Sequence, residues 1–272
     1  NPAVDGFGGM DNNCFGVGLV TVLGLAAALV LTSRTWWERA AAGVCGALIL
    51  HTILLTFSRG ALLGLVTIGA TAFIVLPKRP GFILAYVVAG LLALRLTGPE
   101  LMARYSTVLA DSDARDGWAQ SRLDLWREAL KVTLEHPVLG IGPNNWRASA
   151  GDLGFTKGKS AHSVWVETAA ELGAPGVLAL FSFFAMTAWK LWPIARERIT
   201  EANRHRVGAA IGTMLAVAGF ISSGQFVSVP GLEAPYYAVL VGAVLLKTHT
   251  GKDEPLAARV RTLLEEARTR EA

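Results

Sequence analysis

The sequence predicts an all-α fold, a polytopic bundle of membrane helices, on three observations. The chain is apolar: of its 272 residues 52% are hydrophobic and 17% charged, with a mean hydropathy of +0.43, more apolar than a soluble globular domain needs to be. Its apolar residues are gathered into blocks, and about 18 in a row is what an α-helix needs to cross the hydrocarbon layer. Lys and Arg gather at alternate block ends, as expected where short cytoplasmic loops retain positive charge.

Taken in order, the blocks run from about Asn13 to Leu31, Ala40 to Phe57, Ala61 to Leu76 and Gly81 to Leu96, then Pro175 to Trp192, Val207 to Val227 and Leu232 to Leu246. About seven spans are therefore expected, the fourth and seventh being the shortest. Residues 1–96 hold the first four, 97–174 form a large helical loop, 175–247 hold the last three and 248–272 form a tail with a short charged helix. Arg34, Arg39, Lys78, Arg79, Lys190, Arg196, Arg198, Arg204, Arg206 and the basic residues of the tail fall on one side if the spans alternate. That side is the cytoplasm. The opening segment with Asp5 and Asp11, the Ser58-Arg59 turn and the stretch from Thr97 to Ala161 then face outward. Because the chain opens at Asn1 directly before a span, it reads as the C-terminal piece of a longer protein that carries further N-terminal spans.

The net charge of +4 reports this topology rather than nucleic-acid binding, since no basic patch is interleaved with aromatics. Cys14 and Cys45 show no metal-ligand spacing and read as packing residues. His51 lies inside the second span and is a candidate by default, a backbone hydrogen bond being the alternative. Asn12 and Asn13 either line a site or begin a helix. Arg95 snorkels, and Arg59 either snorkels or faces a polar cavity between two spans.

An outward segment of this length asks for a purpose. Leu123, Trp126, Leu130 and Leu134 recur at helical spacing, with Ser121 and Asp124 as a capping box and His136-Pro137 as the stop. This start puts Arg122 in the first turn, where free N–H groups favour an anion; the alternative is that it solvates a surface helix. The segment from His136 to Trp146 has turn-forming Gly and Pro that shape a wall. Ser163 opens a second loop helix that stops at Gly173 and restarts at Pro175. His162 stands at its start, with an imidazole suited to proton transfer near neutral pH. Glu167 and Glu171 lie roughly 140° and 180° around an ideal helix from it, so the residue orienting the imidazole is expected elsewhere. Asp111-Ser112-Asp113 with Asp116 is a weak cation motif that otherwise reads as solvated.

Three segments together resemble the O-antigen ligase and O-antigen polymerase superfamily: Ser58-Arg59-Gly60 at a span junction, Arg122 with Trp126 through His136-Pro137-Val138-Leu139-Gly140-Ile141-Gly142, and His162-Ser163 followed by nine residues and Gly173-x-x-Gly176. The resemblance covers about Asn12 to Trp192. It implies a bacterial inner-membrane glycosyltransferase that moves a glycan from undecaprenyl-pyrophosphate to an acceptor hydroxyl at the periplasmic face, with no metal and no cofactor. Arg59 and Arg122 correspond to its pyrophosphate-binding arginines and His162 to its essential histidine, with Ser163, Asn13 and Trp126 as further substrate-binding candidates. Two fixed guanidiniums suit a lipid pyrophosphate leaving group. Neighbouring arginines would keep His162 neutral and competent as a base. Lipid A core as acceptor makes a ligase, a growing glycan a polymerase, and a Ser or Thr side chain a protein O-oligosaccharyltransferase. A glycolipid transporter is the rival of another class, and would carry its polar groups near the midplane; a scaffold with a dead site is the third reading.

Overall fold

The computed structural model describes residues 10–76, 78, 80–96, 117–228 and 231–250. Among these it is all-helical: α1 (Asn12–Thr32), α2 (Trp36–Leu55), α3 (Arg59–Val75), α4 (Pro80–Leu96), α5 (Gly117–Glu135), the short α6 (Trp146–Ser149), α7 (Val164–Ala195), α8 (Arg204–Ser223) and α9 (Glu233–Thr250). Every predicted apolar block lies in a helix. Four helices, α1, α2, α7 and α8 with its 3-10 extension, are long and apolar enough to cross a membrane, and α3 is apolar but shorter.

Helix starts follow local capping chemistry. Asp11 accepts from the Asn13 and Cys14 N–H groups, Thr35 and Glu38 close a reciprocal capping box before α2, and Ser58 caps α3, each satisfying donors that a first turn leaves free. The most buried span is α8, with 78% of its apolar window inside the protein against 11% for α2, so α8 is the axis of the bundle and α2 its periphery. It packs on α1, α3, α7 and α9. Small residues set the separation: a Cβ on Gly24 of α1 would lie 2.5 Å from the Ala216 nitrogen of α8. Such close backbone approach is how membrane helices gain dispersion contact where lipid offers no hydrophobic drive.

The loop differs from expectation in two places. Helix α5 begins at Gly117 rather than Ser121, because the intervening Trp-Ala-Gln residues carry no breaker, and Arg122 therefore lies beyond the first turn. Its buried stripe is Leu125, Ala129 and Val132, whereas Leu130 and Leu134 are exposed, since it packs on α7 through its smaller residues. The stop at Gly173 and the restart at Pro175 are as expected: Gly173 leaves helical geometry (φ 68°, ψ −173°), and α7 consists of two helical segments that meet at this kink.

The chain from Pro137 to Gly142 packs into this break. Pro175 has no N–H and Gly173 turns away, which frees backbone groups on α7. The Ala170 carbonyl instead accepts from Ile141 at 3.0 Å, the Glu171 carbonyl accepts from Gly142 at 2.9 Å, and the Ala174 N–H donates to Pro137 at 2.8 Å. Only glycine fits this junction: a Cβ on Gly140 would lie 2.3 Å from the Glu171 carbonyl carbon, and one on Gly173 would lie 2.6 Å from the Pro137 oxygen. The wall segment is thus spliced into the kink.

Candidate active site around His162

The kinked α7 delivers His162 just ahead of its N-terminus. Ser163 is the N-cap, its hydroxyl accepting from Val166, and His162 precedes it with φ of 54°. Left-handed backbone is uncommon for a residue with a Cβ, although His tolerates it better than most. Contacts from distant elements hold the peptides on either side. The Trp126 indole donates to the Ala161 carbonyl at 2.9 Å, the Ala161 N–H donates to Glu167 at 2.8 Å and the Ser163 N–H donates to the Ser228 hydroxyl at 3.2 Å. Ser228 in turn donates to Glu167. Trp146, fully buried beneath this loop, joins Leu125, Ala129, Val132, Ala161 and Ala170 in a small core of its own.

The imidazole faces a cavity of about 220 Å³, lined by Asp11, Asn13, Arg147, Ser160 and Ser228 among others. Burial first, and then the positive charge of Arg122, push its pKa down from 6.5 to about 4. Lys159 and Arg147 push the same way and Asp11 opposes them. His162 is consequently neutral near pH 7, with a free lone pair. Arg122 is held below its ordinary value chiefly by burial and next by the charge of Arg59, so the two guanidiniums sense one another. Arg59 opens α3 and is half-buried. Asn12 ties the start of α1 to this turn by donating to the Thr56 carbonyl at 2.9 Å. A helix N-terminus therefore accompanies Arg59 rather than Arg122.

A sequence model described as O-antigen ligase matches residues 44–181, just over half of the chain and a span that includes Arg59, Arg122, Trp126 and His162. The chain belongs to the O-antigen ligase family. It is thus a membrane enzyme of the glycan-transferring ligase and polymerase type. No curated protein matches it.

For this O-antigen ligase family member, the geometry sorts the candidates drawn from sequence. His162, Arg59 and Arg122 share one electrostatic neighbourhood, and Asn13 lines the cavity. Ser163 is fully buried with its hydroxyl committed to the cap, and Trp126 supports the His162 loop by its indole hydrogen bond while stacking near Phe226, 6.1 Å between ring centroids. His51 is exposed on α2 and is not among the cavity's lining residues. The Asp111-Ser112-Asp113 triplet lies outside the described residues. Cys14 and Cys45 are both free thiols. Arg147, Ser228 and the direct approach of Asp11 are not foreseeable from the motifs. Arg147 comes from the four-residue α6 and Ser228 from just beyond the 3-10 extension of α8, and nothing in their spacing signals a site.

Proposed function

We propose that the protein transfers a glycan from undecaprenyl-pyrophosphate to an acceptor hydroxyl as an O-antigen ligase, at the outer face of a bacterial inner membrane. The observation that carries this reading is a neutral His162 facing a cavity within reach of the charges of Arg122 and Arg147. Family membership supports lipid-linked glycan as the substrate class.

In the proposed reaction the acceptor oxygen attacks the anomeric carbon as the bond from that carbon to the pyrophosphate oxygen breaks. The electron pair of the broken bond leaves with the carrier, where Arg59 and Arg122 offset the added negative charge with donors already in place. The hydroxyl proton passes to His162. A histidine with a pKa near 4 is a weak base, which suits a step in which departure of the leaving group runs ahead of attack. The configuration at the anomeric carbon inverts.

A seven-span arrangement is the matching topology. Arg204 and Arg206, with partners Glu201 and Glu197, stand at one end of α8. The His162 cavity stands at the other, beside Val227 and Ser228, roughly 30 Å away for a helix of this length. Such a separation of basic residues from the site supports a cytoplasmic end and a periplasmic loop over residues 97–174. It also disfavours a transporter, whose polar groups belong near the midplane.

The test uses full-length protein in proteoliposomes with a purified undecaprenyl-pyrophosphate-linked donor and EDTA. His162→Ala and Arg122→Ala are each expected to abolish transfer while leaving expression intact. Transfer that survives His162→Ala removes the base assignment, and inhibition of wild type by EDTA returns attention to Asp111 and Asp113. Lipid A core, repeat-unit glycan and peptide acceptors offered in parallel separate ligase from polymerase and protein transferase.

A further inference from the structure

We infer that Glu167, with Ser228 as its relay, is the positioning residue that aims the His162 imidazole at the acceptor hydroxyl, an inference that rests on the base role proposed above. Its carboxylate makes no hydrogen bond to the imidazole among the described residues. It acts on the backbone instead. One of its oxygens accepts from the Ala161 N–H at 2.8 Å and also from the Ser228 hydroxyl, and that hydroxyl accepts from the Ser163 N–H at 3.2 Å. The 160–161 and 162–163 peptides, which bracket the Ala161-His162 pair, thus converge on a single oxygen atom.

Three features make this a device rather than a satisfied buried acid. The residue it brackets has left-handed backbone, φ 54°, a conformation that persists only where the surroundings over-determine it. Glu167 is itself fixed, being 6% exposed in the first turn of α7, where a negative charge is favoured. Its second oxygen lies 3.8 Å from Arg147 Nε, and Arg147 lines the same cavity as His162 and Ser228. All of these partners adjoin His162 or line its cavity. Rotation of the 160–161 or 162–163 peptide breaks one of these bonds, and Trp126 holds the 161–162 peptide between them, so Glu167 helps to set the direction of the Cα–Cβ bond that carries the imidazole. Catalysis by a base depends on such placement, since a shift of about 1 Å costs on the order of 100-fold in rate.

The experiment compares wild type, Glu167→Ala, Glu167→Gln, Ser228→Ala and His162→Ala in the full-length protein, measuring kcat, KM for the lipid-linked donor and thermal unfolding. Glu167→Ala is expected to lower kcat roughly 100-fold with KM changed less than about threefold. Glu167→Gln is expected to recover most of that loss, because its amide oxygen still accepts from the Ala161 N–H. Ser228→Ala leaves the Ser163 N–H unpartnered and is expected to lower kcat roughly tenfold. Wild-type kcat in Glu167→Ala overturns the inference, as does a loss of kcat matched by a rise in KM. If Glu167→Ala does not fold, Ser228→Ala decides: a fall in kcat at constant KM supports the inference and wild-type kcat overturns it. Active Glu167 and Ser228 variants beside an inactive His162→Ala remove only the positioning role, whereas an active His162→Ala removes the base on which it rests.

Discussion

Helix α8 meets its neighbours through small residues and many weak contacts: Gly212 faces Ala28 and Gly219 faces Val20 and Ile68, and the surrounding core of Val207, Ile211 and Leu215 carries no polar atom in its side chains. The loop around His162 is held differently. Each of its key peptides is fixed by one directional hydrogen bond from a residue far away in sequence, Trp126 for the Ala161 carbonyl and Ser228 for the Ser163 N–H. Where attraction is spread over many contacts a single change is shared among neighbours, whereas a bond that stands alone has no substitute. Changes in the bundle should therefore be read in stability, and changes in the loop in rate.

The largest test of that contrast is His162→Ala. It is expected to lower kcat by about 10³-fold or more, within reach of the losses seen when a general base is removed, while the melting temperature falls only slightly, the cost of an alanine at a left-handed backbone position that histidine tolerates better. A fall in melting temperature that accounts for the lost activity would erase the contrast. Next comes Gly173→Ala, which places a Cβ 2.6 Å from the Pro137 oxygen at φ 68°. It should undock the 137–142 segment and lower kcat about 100-fold, with protease sensitivity appearing in the loop and the spans still inserted.

Gly24→Val sits on the other side of the comparison. Its Cβ would meet the Ala216 backbone at 2.5 Å, and overpacking of this kind costs about 1 to 3 kcal/mol, expected as a lower midpoint in denaturant with kcat per folded molecule unchanged. The smallest effect belongs to Trp126→Phe, which keeps the aromatic contact with Phe226 but removes the indole donor to Ala161. The loss of one hydrogen bond, about 1 kcal/mol, should appear as a few-fold drop in kcat with little change in KM.

Much of the bundle is legible in the sequence because the apolar blocks are local signals, and each predicted block is found in a helix. Gly173 and Pro175 together are a good stop signal, and the backbone of α7 does leave helical geometry at Gly173. The tertiary partners of that break are not legible, because Pro137, Ile141 and Gly142 reach it from some thirty residues upstream. Site residues divide in the same way. His162, Arg59 and Arg122 stand out through their motifs, but Ser228 is an ordinary serine until folding brings it to Glu167, 61 residues away. Helical geometry points away from Glu167, but His162 precedes the helix, with φ of 54°, and does not share its angles. Such geometry is silent on backbone contacts, and those are where Glu167 meets the His162 loop.

The most direct measurement of the central claim is the pH dependence of kcat/KM, which reports the ionisation of the free enzyme. With burial and the charge of Arg122 holding His162 near 4, protonation that disables the base begins only well below neutrality. The profile is predicted to stay level from pH 8 down to about 5 and to fall along a single acid limb near 4, with the limb moving upward in Lys159→Gln as one of the depressing charges is removed. An acid limb near the ordinary histidine value of about 6.5, or a limb near 4 that persists in His162→Gln, would contradict the account.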